Sequence, residues 1–348
     1  MKLIACMSGT SLDGLDLVFC EFLEHNHHID FNILESITYN YTPNWKERLA
    51  NADSLSGLEL SILDKDFGQL TGQFINQFIE TCRIKGIDYI ASHGHTVFHQ
   101  PEQNLSLQIG SGVEIAQSTN LPVINDFRSL DVALNGQGAP LVPIGDRLLF
   151  SEYEYCLNLG GFSNVSFDKD GQRIAFDIAP VNLLLNYFAQ KLGFEFDKNG
   201  ELGEKGHIDH NLLETLNQLP FYKQAPPKSL GKEWLIETVF PIIPNALNPS
   251  DILRTLYEHI AIQIASVLTQ KNSKTLVTGG GAFNTFLISR IRHYSTSDLI
   301  IPEQTIIEFK EALIFGLLGY LRVNKMVNVL KSVTGASRDS CSGTLIYP

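Results

Sequence analysis

The sequence contains few of the features that mark secreted, membrane or zinc-binding proteins. Only five of its 348 residues are cysteine, an odd number spread along the chain, so neither a disulfide framework nor a zinc knuckle is predicted. No apolar run approaches the length of a membrane-spanning helix, and no signal-like segment precedes the first predicted strand. These absences predict a cytoplasmic protein with reduced thiols.

Charge is also scarce, and what there is has mainly one sign. Charged residues make up 18% of the chain, and the formal net charge is -12. This negative field disfavours nucleic acid or an anionic membrane as a partner, whereas a nucleotide stays open because local dipoles and magnesium can outweigh it. A hydrophobic content of 44% over 348 residues is enough for two cores, so we expect two domains.

The order of predicted elements repeats along the chain. Each half begins with two apolar runs that flank a polar, glycine-containing tip, at Met7–Asp16 and at Tyr155–Phe167, and a third strand follows. Helices and strands then alternate in both halves. We therefore predict an α/β protein with two related lobes, 1–150 and 151–348, and a ligand cleft between them. An alternative prediction is that the last helix and the tail pack on the first lobe.

Three glycine sites occupy comparable places in this pattern. Two are the hairpin tips, with Gly9 and Gly14 in the first and Gly160-Gly161 in the second, and the third is the strand-to-helix turn Gly279-Gly280-Gly281. Backbone N–H groups at such tips can hold the phosphates of a magnesium nucleotide, and a glycine turn lets adenosine lie against main chain. Ordinary structural turns are the alternative. The P-loop lysine and the G-x-G-x-x-G fingerprint after the first strand are both absent.

Several longer motifs resemble the anhydro-N-acetylmuramic acid kinase family, within the sugar kinase, chaperone and actin superfamily. The motifs are Met7–Gly14, Ser92–His99, Asp126–Arg128, Gly136–Pro143 and Ser332–Ser337. They occur in the family's order and span nearly the whole chain. The resemblance implies two actin-like, ribonuclease H-like lobes, each a mixed five-stranded sheet flanked by helices.

The resemblance also implies a reaction and a set of ATP contacts. The reaction is the ATP-dependent conversion of 1,6-anhydro-N-acetylmuramic acid to N-acetylmuramic acid 6-phosphate, a step in peptidoglycan recycling, with Mg²⁺ bound with ATP near Asp13. The implied ATP contacts are Gly9, Thr10, Ser11, Leu12, Asp13, Gly14, Leu15, Asp16, Gly160, Gly161, Gly279, Gly280 and Gly281.

Asp177 is the candidate catalytic base. It follows the apolar run Ile174–Phe176 and precedes Pro180, which places it at a predicted strand end before a helix. A helix N-cap is the structural alternative. In the family, the corresponding aspartate activates the water that opens the anhydro ring, and the released oxygen then attacks the γ-phosphate.

The chain departs from the family pattern around this aspartate. Many relatives read Asp-Thr-Gly-Pro-Gly-Asn, whereas this chain reads Asp177-Ile178-Ala179-Pro180-Val181-Asn182. The loss of two glycines puts in question how closely phosphates approach this turn. A smaller departure is Asn135, where a glycine commonly precedes Gly136.

Arg128, Glu311 and Thr96 are the candidate sugar contacts. Arg128 follows a predicted strand among carboxylates and could hold the lactyl carboxylate of muramic acid in a bidentate way. A structural ion pair with Asp126 or Asp131 is the alternative. Glu311 is expected to open a helix and matches an acidic position of the family that meets substrate, while Thr96 lies in a loop that lines the family's sugar site.

Three histidines near Thr96 have a spacing that fits a metal site but lack further ligands nearby. His93, His95 and His99 include a His-x-His pair that can chelate zinc, but no nearby Asp or Cys completes a ligand set. No resident metal is therefore predicted.

Two other functions stay open at this stage. One is a kinase for a different sugar or anhydrosugar, and the other is a non-catalytic ATP-binding regulator. The sequence does not determine the oligomeric state, for which a homodimer is one option, or the role of the Pro-rich and aromatic segment 218–248, which we expect to be ordered.

Overall fold

The computed structural model describes residues 1–9, 12–26 and 28–348. These form two compact units: the first consists of Met1–Leu149 with Phe309–Pro348, and the second of Phe150–Glu308. The last helix and the tail therefore belong largely to the first unit, which the sequence left open.

Strands and helices alternate through most of the described chain. The strands are β1 (Lys2–Ser8), β2 (Gly14–His25), β3 (His28–Asn40), β4 (Tyr89–Gln100), β5 (Leu105–Ile109), β6 (Val123–Asn125), β7 (Tyr155–Leu159), β8 (Phe162–Lys169), β9 (Gln172–Pro180), β10 (Lys274–Thr278), β11 (Asp298–Ile300) and β12 (Thr344–Ile346). The helices are α1 (Pro43–Ala50), α2 (Gly57–Cys82), α3 (Gly112–Thr119), α4 (Ser129–Ala133), α5 (Val142–Leu149), α6 (Asn182–Lys191), α7 (Glu201–Glu204), α8 (His210–Asn217), α9 (Lys232–Trp234), α10 (Pro249–Val267), α11 (Thr285–Tyr294), α12 (Gln304–Val323) and α13 (Lys331–Thr334).

The first unit contains a seven-stranded mixed sheet in the order β12-β6-β4-β1-β2-β3, with β5 paired to β4. Strands β1, β4 and β6 are parallel, and the other pairs are antiparallel. The prediction of five strands is wrong here. The β4–β5 hairpin and the tail strand β12 are the additional pairings, and local sequence does not determine which sheet a short strand joins.

Helix α12 packs closely on this sheet because it carries two glycines at the contact. A Cβ on Gly316 would lie 2.9 Å from Cys20 Sγ, and one on Gly319 would lie 2.8 Å from Ala91 Cβ. Both distances are below those that real Cβ atoms show, so only glycine permits this approach. The close contact fixes the helix that carries Glu311.

The second unit contains the predicted five-stranded mixed sheet, in the order β11-β10-β7-β8-β9. Strands β7, β10 and β11 are parallel, whereas β7, β8 and β9 form an antiparallel meander. Its core includes α10, where Leu253, Leu256 and Ile260 are fully buried. The predicted α/β class with two mixed sheets is confirmed.

Three element boundaries differ from prediction, and each concerns a candidate site residue. Strand β4 continues through His93–His99, which had been assigned to a loop, and β9 continues through Asp177. Helix α12 begins at Gln304 rather than at Glu311. Both strands run further than the sequence indicated, since β4 continues past Gly94 and β9 ends only at Pro180.

No helix in the described part of the chain is both long enough and apolar enough to cross a bilayer.

Candidate functional site

The first glycine hairpin joins β1 to β2, as predicted. Of its predicted phosphate contacts, Thr10 and Ser11 lie outside the described residues. Asp13 is exposed at the tip, whereas Gly14 has a packing role, since a Cβ there would lie 2.5 Å from the carbonyl oxygen of Tyr39. Leu15 is buried. Gly14 and Leu15 are therefore taken up by packing, whereas Asp13 and the half-buried Asp16 keep exposed surface.

A buried hydroxyl and imidazole chain supports the start of this hairpin. Tyr41 donates from its hydroxyl to Ser8 Oγ at 2.8 Å, and Ser8 Oγ lies 3.1 Å from Nδ1 of His95. Burial lowers the pKa of His95 to about 4, so the ring is neutral, and in the tautomer with the proton on Nε2 its Nδ1 accepts from Ser8. The ordered network fixes the backbone immediately before Gly9.

Arg128 is held by one side chain and one carbonyl. Its Nε and Nη2 lie 3.1 and 2.9 Å from Nε2 of His93, and its Nη1 donates to the carbonyl oxygen of Gly138 at 2.7 Å. A guanidinium carries five N–H groups, so these contacts leave one N–H on each terminal nitrogen. The ion pair with Asp126 or Asp131 that the sequence left open does not occur among the described residues.

His93 is the residue that orients Arg128, and it is itself fixed from two sides. Its Nδ1 lies 2.9 Å from the Gly94 carbonyl oxygen, which places the proton on Nδ1 and leaves Nε2 as the acceptor for Arg128. Its ring packs on Phe315 with centroids 4.4 Å apart. Burial and the neighbouring Arg128 hold the pKa of His93 well below its usual value.

Glu311 lies one helical turn before Phe315 on α12, and i and i+4 share a helix face. Its carboxylate keeps exposed surface, but the surrounding protein reduces its hydration, and this loss is the main cause that raises its pKa. The charge of Arg128 opposes that rise, and the charge of Asp16 adds to it. The structure therefore brings Glu311, Arg128 and Asp16 together in the first unit.

The C-terminal tail closes the loop that holds Arg128. Thr334 donates from Oγ1 to Asp131 Oδ1 at 2.7 Å, and Asp131 Oδ2 accepts the Gly138 N–H at 2.8 Å. The N–H of Gln137 also donates to the Thr334 carbonyl at 2.8 Å. Two motifs almost 200 residues apart, Gly136–Pro143 and Ser332–Ser337, thus form one structural unit around the arginine.

Thr96 and the three histidines lie on β4 rather than in a loop. Thr96 is half-buried opposite Gln108 of β5, and no contact places it against Arg128. His93 and His95 are buried, with protein partners for Nδ1 in each. Among the described residues, no group of three or more His, Cys, Asp or Glu could hold a metal ion.

In the second unit, the structure brings the second hairpin and the glycine turn together. A Cβ on Gly279, which has a φ of 81°, would lie 2.6 Å from Asn158 Oδ1, and one on Gly281 would lie 2.7 Å from Leu159 Cβ. These two glycines therefore allow the turn to pack on the end of β7. Gly280 differs, since its nearest neighbour would be Asn182 Nδ2 at an ordinary 3.7 Å.

The hairpin tip also supports the start of α6. The carbonyls of Gly161 and Gly160 accept from the N–H groups of Val181 and Asn182 at 2.8 and 3.2 Å. Those helix donors are thus already occupied within the protein.

A cavity of about 420 Å³ opens beside Gly280. Asn284 donates to the hydroxyl of Tyr257, which donates to Asp197, at 2.8 and 3.0 Å, and all three side chains line the cavity. Two aromatic rings in the lining, Phe196 and Phe283, are 52% and 45% exposed. A flat, partly apolar ligand with hydrogen-bonding edges suits this combination.

Asp177 lies within β9, half-buried, opposite Asn164 of β8. Its Oδ2 accepts the N–H of Leu230 at 2.8 Å. It does not cap α6, whose N-cap is Val181 with no side-chain hydrogen bond. Loss of hydration raises the pKa of Asp177, and the Leu230 N–H opposes that rise, a balance typical of a carboxylate used as a base.

The departures from the family pattern have structural explanations. Ile178, Ala179 and Val181 are buried in the core of the second unit, so apolar residues there add packing. Asn135 has a φ of 64°, a conformation that asparagine tolerates better than other side chains do. Both changes are compatible with the retained carboxylate and arginine.

Sequence reasoning missed two positioning groups, His93 and the backbone N–H of Leu230. The residue type at His93 gave some indication, since a histidine that lies near a ligand-binding arginine in the fold can orient it. The N–H of Leu230 left no signal, because any residue except proline supplies one.

The family model and the curated relatives that match this chain agree on one family. The sequence model of anhydro-N-acetylmuramic acid kinase matches residues 1–348. An anhydro-N-acetylmuramic acid kinase of Mannheimia succiniciproducens is 34% identical and covers 99% of this chain and 98% of its own, and one of Haemophilus influenzae is 33% identical with 99% and 97% covered.

Among solved structures, the (R)-2-hydroxyglutaryl-CoA dehydratase component A of Acidaminococcus fermentans matches with a TM-score of 0.47, at 9% identity over 90% of this chain and 95% of that one. The match of the family model over the whole chain, joined by relatives above 30% identity across nearly all of it, shows that the chain belongs to the anhydro-N-acetylmuramic acid kinase family.

Proposed function

We propose that this protein is an ATP-dependent kinase that opens the anhydro ring of 1,6-anhydro-N-acetylmuramic acid and phosphorylates O6. The products are N-acetylmuramic acid 6-phosphate and ADP, as peptidoglycan recycling requires. The observation that carries the proposal is the pre-oriented Arg128, which keeps one N–H on each terminal nitrogen. Such a pair suits a carboxylate, and the lactyl group distinguishes a muramic acid from other amino sugars.

Sugar recognition is assigned to the first unit. Arg128 would bind the lactyl carboxylate, and Glu311 would accept from a sugar hydroxyl or amide. Loss of hydration raises the pKa of Glu311, and the charge of Arg128 opposes that rise. Hydrogen-bond donors of a bound sugar would replace the lost hydration and stabilise the charged carboxylate. Thr96 stays a candidate contact that rests on the family resemblance.

ATP binding is assigned to the two hairpin tips and the cavity of the second unit. Gly9 and Asp13 at the first tip and Gly160-Gly161 at the second would offer main-chain N–H groups to phosphates. The cavity beside Gly280 would take the adenosine, with Phe196 or Phe283 against the base and the ring of polar side chains at its edges. The absence of a close contact from the described protein at Gly280, where a Cβ would lie no nearer than 3.7 Å to Asn182, supports this assignment.

The residues present fit a magnesium ion at the phosphates. Asp13 is exposed at the first tip, and the charge of Asp16 raises the pKa of Glu311, so a cation beside Asp16 would reduce the repulsion between these two carboxylates. Magnesium takes many of its ligands from phosphate and water. Asp13 or Asp16 would hold the ion, directly or through water, and the ion would neutralise phosphate charge.

Asp177 would act as the base for water. It takes a proton as the water oxygen forms a bond to the anomeric carbon, and the bond from that carbon to O6 breaks. The electron pair leaves on O6, which attacks the γ-phosphorus, and the bond to ADP breaks. The sum consumes one water and one ATP per sugar and leaves the proton on Asp177 for release to solvent.

The proposal places the enzyme in the cytoplasm, where ATP and recovered cell-wall sugars meet. The five cysteines are free thiols, which is compatible with a reducing compartment. ATP and the amino sugar are the proposed partners. A homodimer stays a prediction, and light scattering tests it.

The test is ADP release with two anhydrosugars that differ only in the lactyl group. We expect turnover with 1,6-anhydro-N-acetylmuramic acid and a kcat/KM lower by about tenfold or more with 1,6-anhydro-N-acetylglucosamine, because a charge-assisted contact is lost. A preference for the second sugar would instead indicate a different substrate. ATP binding without sugar-dependent ADP release would indicate a regulator.

A further inference from the structure

An extended segment from the region 218–248 lies against the strand that carries Asp177. The N–H of Asp177 donates to the carbonyl oxygen of Lys228 at 3.1 Å. The N–H of Leu230 in turn donates to Asp177 Oδ2 at 2.8 Å. The segment therefore contacts both the main chain and the carboxylate of the same residue, and no other hydrogen bond holds that carboxylate among the described residues.

The segment is itself anchored to buried aromatic residues. Lys228 donates from Nζ to the carbonyl oxygen of Phe221 at 3.1 Å, and its ammonium lies 4.5 Å from the centre of the Phe221 ring and 5.7 Å from that of Phe176. Phe221 is buried and packs on Trp234 with ring centroids 5.4 Å apart. The position of Lys228–Leu230 is therefore set by packing in the second unit.

The two oxygens of Asp177 differ as a consequence. Oδ2 already accepts a strong hydrogen bond, whereas Oδ1 accepts none among the described residues. A backbone donor to one oxygen also fixes the rotation of the carboxylate plane. A base needs both a defined direction and a lone pair that no donor occupies.

We propose that Lys228–Leu230 is the positioning element of the catalytic base, which fixes Oδ2 of Asp177 through the Leu230 N–H and leaves Oδ1 to take the proton from water. This inference rests on the proposed function of Asp177 as base. It assigns a role to the region 218–248, which the sequence left without one.

No charged group of the described residues around Asp177 is directed at its carboxylate, so the Leu230 N–H is the contact whose removal should change the pKa of Asp177. Lys228 directs its ammonium to Phe221 and Phe176, and the residue opposite on β8 is the uncharged Asn164. On α10, which also packs on β9, Arg254 and Glu258 pair with each other. His259 is hydrogen-bonded to polar groups, and burial lowers its pKa to about 3, so its ring carries no charge.

The experiment compares Leu230→Pro, which removes the N–H, with Leu230→Ala, which keeps it. Leu230 is half-buried in an extended segment, so both variants are expected to fold, and thermal unfolding together with ADP affinity checks this. The measurement is kcat and KM for sugar-dependent ADP release from pH 5 to 9. Lys228→Met, which removes the anchor but no donor to Asp177, is the second variant.

We expect Leu230→Pro to lower kcat by about tenfold with KM for ATP unchanged. Because the lost N–H lowers the pKa of Asp177, its removal should move the acidic limb of kcat/KM to higher pH. Leu230→Ala should match the wild type, and Lys228→Met should show a smaller change of the same kind.

Equal kcat and equal acidic limbs in Leu230→Pro and Leu230→Ala would overturn the inference. So would a Leu230→Pro variant whose loss is in KM alone. If the wild type shows no sugar-dependent ADP release, the proposed function fails, and that result is distinct from failure of the positioning role. If Leu230→Pro loses ADP affinity, Lys228→Met decides: a wild-type acidic limb and kcat there would overturn the inference.

Discussion

Arg128 and Asp177 are the two groups to which we assign the chemistry, and they are fixed in opposite ways. Arg128 is engaged through all three of its guanidinium nitrogens, by His93 and Gly138, and the tail reinforces the same loop through Asp131. Asp177 has one main-chain donor, from a surface segment. The proposed substrate-binding group is thus held rigidly, and the proposed base keeps one oxygen without a hydrogen-bond partner among the described residues.

The difference predicts two classes of variant. Changes around Arg128 remove binding that is equal in ground and transition states, and should appear mainly in KM for the sugar. Changes around Asp177 remove proton transfer, and should appear in kcat and its pH dependence. A variant near Arg128 that changed mainly kcat, or one near Asp177 that changed mainly KM for the sugar, would contradict this division.

The largest effect is expected for Asp177→Asn, which keeps the shape but cannot accept the proton. We expect kcat to fall by roughly 10²- to 10⁴-fold, with the affinity for ADP unchanged. Steady-state ADP release and ADP titration measure the two quantities. Asp170→Asn, at a turn residue with φ of 52° that asparagine tolerates, is the matched control and should behave as wild type. Undiminished turnover in Asp177→Asn would remove Asp177 as the base.

The second effect is expected for Arg128→Lys, which keeps the charge but loses the planar fork. Hydrogen bonds to charged groups contribute about 1.5–3 kcal/mol, so KM for the muramic sugar should rise by about 10- to 100-fold. The control is a second substrate, the anhydrosugar without a lactyl group, for which variant and wild type should have similar KM. An equal rise for both sugars would show that Arg128 does not read the carboxylate.

A smaller effect is expected when the partner of Arg128 is changed. His93→Phe keeps an aromatic ring against Phe315 but removes the Nε2 acceptor, so KM for the sugar should rise by about 3- to 10-fold as the guanidinium loses its orientation. His93→Gln retains an acceptor and should recover part of the affinity. If both variants keep the wild-type KM, the histidine has only a packing role.

The smallest effects separate two adjacent glycines. Gly279→Ala forces a Cβ toward Asn158 Oδ1 at a φ of 81° and should lower the free energy of unfolding by about 1–3 kcal/mol. Gly280→Ala makes only an ordinary contact, 3.7 Å from Asn182 Nδ2, so it should keep that stability and raise KM for ATP by a few-fold. Chemical denaturation and ATP titration measure the pair. The reverse pattern would place the nucleotide elsewhere.

Much of the fold could be predicted from the sequence because its elements carry strong periodic signals. The two glycine hairpins occur at their predicted places, and the predicted alternation of helices and strands is present in both units. Strand ends were harder, since β4 continues through the segment expected to be a loop and β9 continues through Asp177 to Pro180. Local sequence does not report where a ladder finds its partner.

The candidate site divides in the same way. Arg128, Asp177 and the glycine turns could be found because their residue types carry the chemistry. The donor from Leu230 is 53 residues from Asp177 and belongs to the main chain, so the residue type at position 230 does not predict this hydrogen bond. The bond between Thr334 and Asp131 spans 203 residues and likewise depends on tertiary structure alone.

The coupling of ring opening to phosphorylation is tested most directly in water enriched in ¹⁸O. Enzyme, ATP and 1,6-anhydro-N-acetylmuramic acid are incubated, and the sugar product is analysed by mass spectrometry with fragmentation. The account predicts one ¹⁸O at the anomeric hydroxyl, none in the phosphate, and one ADP for each N-acetylmuramic acid 6-phosphate. Label in the phosphate, or ADP formed without a phosphorylated sugar, would contradict it.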